Sequence, residues 1–174
     1  MTDRPANESS ASTARLADLS RLLWDQRSLV EMLEFRLEVQ QLLTIAGKVD
    51  RLPLAVDDVE AVLDRIRMSE DVRLGVVAEC SVELGLAVGA SLRELAAVAP
   101  DPWGHILQDH QTALLRLVAA SEELATSNRQ LAAKGIGEAR NALSHLGGAP
   151  VTAYGRHGDR PALALPPTLV DRTA

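Results

Sequence analysis

The chain has 174 residues and a formal net charge of −6, and an acidic balance of that kind argues against a nucleic-acid binder, which carries a basic footprint. Leucine is abundant and the aromatic residues are only Trp24, Phe35, Trp103 and Tyr154, a composition that disfavours a β-sandwich or barrel and suits helices. Cys80 is the sole cysteine, which excludes an intramolecular disulfide and a cysteine-rich metal site.

The N-terminal segment Met1–Thr13 is polar, carries Asp3 and Glu8, and lacks the basic region and apolar stretch of a secretory signal. It is expected to be disordered. No later run is long and apolar enough for a transmembrane helix, so the expectation is a cytoplasmic chain without membrane insertion. Pro5, Pro53, Pro100/Pro102 and Pro150 then bracket three proline-free blocks of nearly equal length, 6–52, 54–99 and 103–149. Proline breaks helix interiors, so these blocks predict three long helical arms that fold back on each other.

The first arm is expected from about Ala14 to Ala46. Leu16, Leu19, Leu23, Val30, Leu33 and Leu37 form one stripe, with Leu22, Leu29, Met32, Val39 and Leu43 beside it. Together they make the wide apolar face of a bundle helix. Gly47 is the expected stop.

The second arm begins after Pro53 with Asp57, Asp58 and Glu60 in its first turns, where the helix dipole favours negative charge. Val56, Val59, Leu63, Ile66, Val77, Cys80 and Leu84 mark its apolar face. Glu70 and Arg73 interrupt that spacing and Gly75 follows, which predicts a weak, bent middle. The arm is expected to end at Gly85.

Ser91–Ala99 reads as a short helix, because Ser91 and Glu94 have capping-box spacing. Asp101 is expected to cap the last arm with Pro102 at its first position. That arm carries Trp103, Ile106, Leu107, Leu114, Leu117, Leu124, Leu131, Leu143 and Leu146, and Gly135 and Gly137 are expected to kink or fray it. Gly147-Gly148 ends it. Residues 148–174 hold four prolines with little periodicity and read as a flexible C-terminal tail. The fold class is therefore all-α: an elongated antiparallel bundle or coiled coil of three long helices plus a short connecting helix, with the bundle domain spanning residues 14–147.

Chemistry-bearing patterns are sparse. His105 and His110 lie five apart, the wrong spacing for a helical metal pair, and read as solvated or half-buried histidines. Cys80 falls on an apolar stripe and reads as core. Gly85-x-x-x-Gly89 and Gly135-x-Gly137 do not sit between a strand and a helix as phosphate loops do. No catalytic residue, metal site or cofactor is expected. One oddity stands in the last arm, whose apolar stripe is broken by His110, Ser121 and Asn128. Such polar residues either fix register inside a bundle or mark a face awaiting another helix.

The ordered pieces resemble one known family. Leu22-Leu23-Trp24 leads into Leu33-Glu34-Phe35-Arg36-Leu37-Glu38 and Leu42-Leu43-x-x-Ala46-Gly47. Val59-Glu60-x-Val62-Leu63, Glu83-Leu84-Gly85-Leu86 and Ser91-Leu92-Arg93-Glu94-Leu95 follow. The most specific stretch is Ala99-Pro100-x-Pro102-Trp103-x-x-Ile106-Leu107-x-x-His110, and Asn128, Leu131, Gly135 and Thr152-x-Tyr154-Gly155-x-x-Gly158 come after it. Over roughly residues 16–158 the chain resembles the FlgN family of flagellar export chaperones, in the forms found in high-GC Gram-positive bacteria. The resemblance implies a cytoplasmic chaperone for the hook–filament junction proteins FlgK and FlgL. It would hold their C-terminal amphipathic helices, prevent premature assembly and aid delivery to the type III export apparatus. An exposed apolar stripe on such a helix aggregates, and a chaperone helix covers it by reading i, i+3, i+4 and i+7 positions.

The substrate-binding surface is expected on the last arm, at Leu114, Leu117, Leu124, Asn128, Leu131 and Ile136. Trp103, His110 and the short helix are assigned to architecture. The alternative is a self-associating coiled-coil scaffold or adaptor without a secretion substrate. The sequence leaves the oligomeric state open.

Overall fold

The structure is a computed structural model and describes residues 4–145. Four α-helices account for most of it: α1 (Arg4–Ile45), α2 (Leu52–Glu83), α3 (Leu92–Val98) and α4 (Trp103–His145), with a 3-10 turn at Val49–Arg51 before α2. No strand occurs among the described residues. The expected all-α architecture of three long helices and one short one is what forms.

Helix α1 begins at Arg4, ahead of the start expected near Ala14, so part of the segment read as disordered (1–13) is helical. Its buried side chains are Leu16, Leu19, Leu23, Gln26, Val30, Leu33 and Leu37, an unbroken three–four alternation that sets the seam of a left-handed coiled coil. Fully burying each leucine contributes roughly 1.5–3 kcal/mol. The second stripe is half-buried at Leu22, Leu29, Val39 and Leu43 and exposed at Met32.

The turn after α1 is a Schellman motif. Lys48 N–H donates to Leu43 C=O and Gly47 N–H to Thr44 C=O, with Gly47 at φ 66, a conformation that glycine enters without strain. The same device closes α2. Leu86 N–H donates to Ser81 C=O and Gly85 N–H to Val82 C=O, around Gly85 at φ 72.

Helix α2 runs antiparallel to α1, since Arg36 pairs with Asp58 near one end and Arg15 with Glu79 and Glu83 near the other. The expected weak middle is absent, and α2 is continuous through residues 69–78. Glu70 and Arg73 do not break the apolar face but point into it, both buried. Arg73 donates through Nε and Nη2 to the two Glu70 carboxylate oxygens (3.0 and 2.6 Å), and Gln26 Nε2 of α1 donates to Glu70 Oε2 (2.9 Å). A charge inside a core is tolerated only when paired and hydrogen-bonded, and this layer satisfies both demands.

Helix α3 carries the full capping box: Glu94 N–H donates to Ser91 Oγ, and Ser91 N–H donates to the Glu94 carboxylate. The Ser91 N–H and, after it, the Ser91 hydroxyl both donate to the Glu94 carboxylate and hold it below the usual carboxylate range. Leu92, Leu95 and Ala96 bury against the start of α4. Helix α4 begins at Trp103, so Pro102 precedes it instead of occupying its first position. Gly104 sits where a Cβ would lie 2.8 Å from Ala96 C=O and 3.4 Å from Ala99 C=O, and only glycine lets α3 and α4 approach that closely. Half-buried Trp103 packs beside this junction against the core. Helix α4 also continues through Gly135 and Gly137, where a kink or fray was expected.

Helix α1 is the common partner of α2 and α4, whose own Cα atoms nowhere come within 8 Å of each other among the described residues. Helix α4 runs parallel to α1: Ser20 meets His110 near the start, and Gln41 meets Ser127 farther along. The expected tail, 148–174, lies outside the described residues.

Candidate partner-binding surface on the last helix

Two residues of α4 lock its register to α1. His110, buried, sits with Nε2 3.1 Å from Ser20 Oγ, and its ring meets Trp24 edge-on at 5.2 Å. Burial, reinforced by the nearby Arg27 cation, lowers its pKa below the ordinary 6.5 despite the opposing pull of Asp109. Asn128 Nδ2 donates to Leu37 C=O (2.8 Å) and to Gln40 Oε1 (3.1 Å). Ser121 is buried between these two layers. Polar groups in such a seam accept only one alignment, because any slip leaves them unpaired. Of the two readings open for these residues, the structure supports register for His110 and Asn128, while the buried Ser121 hydroxyl meets no partner.

The candidate residues separate along α4. Leu114 and Leu117 are core side chains packed within the bundle and not part of an accessible surface in the folded chain. Asn128 is buried and held by α1. Leu124 is half-buried against the core, and Leu131 is half-buried near the end of α1. Ile136 is 54% exposed. The site residues expected from sequence therefore divide into buried Leu114, Leu117 and Asn128, half-buried Leu124 and Leu131, and exposed Ile136.

The difference follows from helix lengths. The pairings Ser20–His110, Asn128–Leu37 and Gln41–Ser127 place α4 about 90 residues ahead of α1 in register. Ile45, the last residue of α1, thus lies level with the mid-130s of α4. The remaining ten or so residues of α4 project beyond the bundle by roughly 15 Å at ~1.5 Å per residue. From Ala132 to His145 every residue is exposed except Gly137, which is half-buried.

The projecting segment keeps the pattern of a covered helix. Ala125 and Asn128, both buried, are followed on the same face by Ala132, Ile136, Ala139 and Leu143, at spacings of three and four that keep side chains on one stripe. Leu143 is 52% exposed. Sequence reasoning included Leu143 in the arm's apolar stripe and left it out of the candidate surface; what was missing was the register of α4 against α1, which sets where that stripe loses its cover. Arg129, Lys134 and Arg140 flank the stripe against a single acid, Glu138, from 129 to 145. This short stretch is positive in a chain of net charge −6.

His105 is exposed while His110 is buried, and no cluster of three or more His, Cys, Asp or Glu side chains suited to a metal occurs among the described residues. Cys80 is buried and its thiol is pushed up to about 11, chiefly by desolvation and then by Glu83. It is a core side chain and a poor nucleophile. No helix among the described residues is long and apolar enough to cross a membrane.

The family model for FlgN protein matches residues 15–162, most of the chain. No curated protein and no solved structure matches the chain. With the match spanning all three long helices from residue 15 on, the chain belongs to the FlgN family of flagellar export chaperones.

Proposed function

We propose that the chain is a cytoplasmic chaperone for hook–filament junction proteins of the FlgK and FlgL kind. It holds their C-terminal amphipathic helices through the distal part of α4, keeps them from assembling early and hands them to the export apparatus. The observation that carries this reading is the apolar stripe Ala132–Ile136–Ala139–Leu143, which continues the buried face of α4 beyond the last residue of α1. A substrate helix laid along it would restore there the packing that α1 provides farther back. Leu131 and Ile136 are its nearest contacts, with Leu124 at the inner edge. Leu114, Leu117 and Asn128 support α4 from within and are reached only if it parts from α1.

The test uses the full chain as bait in lysate of the native organism, alongside Ile136→Asp and Leu143→Asp. The reading predicts capture of junction proteins by the wild type and loss by both variants, with helicity unchanged in circular dichroism. Capture of no flagellar protein would overturn the function. Undiminished capture by both variants would move the site off distal α4.

A further inference from the structure

Helix α1 has a second apolar face that is largely open among the described residues, touched only at its Trp24 end, where His110 of α4 meets the edge of the indole. Trp24, Met32, Phe35 and Leu42 are all exposed, and with Ser28 and Val39 they recur at spacings of three and four along one side. This side lies opposite the buried Leu23, Val30 and Leu37. Two of the chain's four aromatic residues are on it, at 55% and 51% exposure. Arg27 stacks over Trp24 (4.2 Å) and Arg36 over Phe35 (5.6 Å), so each ring is held in place while remaining open to solvent. A contiguous apolar stripe of this kind marks an interaction surface.

The charges beside the stripe say what fits it. Glu31 and Glu38 lie along one edge and Arg36 along the other. If two copies of α1 pack in parallel, a residue on the first edge faces the partner residue five positions on. Glu31 of one copy then faces Arg36 of the other, and the two-fold axis repeats the pair. Trp24 falls against Leu29 in the same way, while Met32, Phe35, Val39 and Leu42 each meet their own counterpart. Antiparallel packing instead sets Glu31 against Glu38 twice, a like-charge arrangement that is destabilising. Arg36 Nη1 already donates to Asp58 (3.0 Å), and a guanidinium with five donors has capacity for a second carboxylate.

We infer that this face of α1 is a homodimerisation surface on which a second copy of the chain packs in parallel, helix α1 against helix α1. The stripe from Ser28 to Leu42 is only about 21 Å long at ~1.5 Å per residue. The buried area therefore falls at the small end of specific interfaces, below about 1,200 Å² in total, and the dimer is reversible.

The test is molar mass in solution across a range of concentrations, by light scattering or sedimentation equilibrium. The expected result is a rise from 18.7 kDa towards twice that value. Phe35→Asp holds the chain at 18.7 kDa with helicity unchanged, since residue 35 is exposed, and Glu31→Arg weakens association. Under mild oxidation Phe35→Cys gives a disulfide-linked dimer, because parallel packing sets position 35 against itself, and buried Cys80 does not compete. A mass that stays at 18.7 kDa overturns the inference. In that case a slow reaction of Cys at position 35 with a thiol reagent points to residues 146–174 as the cover, and a fast one to a different protein. A dimer that survives Phe35→Asp, or one with no 35–35 disulfide, overturns it as well.

Discussion

The Glu70 carboxylate receives both the Nε and the Nη2 of Arg73, one helical turn away, in the buried seam between α1 and α2. Gln26 from α1 completes the layer. The two charges are together inside the core, and removing either leaves the other buried without its bidentate partner. Glu70→Ala is expected to cost roughly 3–5 kcal/mol, whereas Gln26→Leu, Glu70→Leu and Arg73→Met together, which replace the whole layer, are expected to be neutral or stabilising by about 1–4 kcal/mol. Urea unfolding of the single and triple variants measures both. A triple variant as damaged as the single one would show that the layer contributes more than its own pairing.

Gly104 makes a second, geometric prediction. Its missing Cβ leaves the space that Ala96 C=O occupies at 2.8 Å. The obstacle is backbone and cannot rotate away. Gly104→Ala should force α3 off α4 and lower stability by about 1–3 kcal/mol, the usual range for overpacking. Gly135→Ala, in open space on an exposed stretch of helix, should raise stability by about 0.5–1 kcal/mol through helix propensity. Thermal melts of the two variants should move in opposite directions.

The third prediction concerns acid. Burial lowers the His110 pKa below 6.5, so the unfolded chain takes up its proton first as pH falls. The neutral ring's contribution is complete above about pH 6.5 and is lost as pH drops through the folded-state value. The wild type should lose more stability between pH 7 and pH 5 than His110→Gln. Urea midpoints at the two pH values, compared between the proteins, isolate the histidine from the carboxylates they share.

A fourth prediction separates core from surface along α4. Leu117→Asp places a charge in the bundle and should unfold the chain or lower its melting temperature sharply. Ile136→Asp should change stability by no more than about 0.5 kcal/mol, as surface substitutions do. Similar losses at the two positions would mean that the projecting segment is covered after all.

Much of this architecture was legible in the residues. The α1 leucines, the Ser91–Glu94 capping box and the glycine stops at Gly47 and Gly85 are local signals, and local physics decides them. Glu70 and Arg73 were misread because their partner in the seam, Gln26, is 44 residues from Glu70, and no spacing rule within α2 reveals it. The role of Gly104 depends on where α3 docks, which no local pattern encodes. Leu114 and Leu117 share the spacing of the residues beyond them, and periodicity alone cannot tell which part of a stripe has a neighbour. That depends on the relative lengths of α1 and α4, set by Gly47 in one case and by the run to His145 in the other.

The bundle is therefore finished differently at its two ends. Where α4 begins, α3 and Trp103 seal the core. Where it ends, no other element among the described residues packs beside the helix, and isolated helical segments of that length are marginal in water. Amide protection along α4 should accordingly decline from Leu107 towards His145, steeply once α1 has stopped. A partner helix that settles on the last three turns would do more than occupy a surface, because it would also hold those turns in helical form. Part of its binding free energy would go into that ordering, which weakens the grip without shrinking the contact and leaves a complex able to let go.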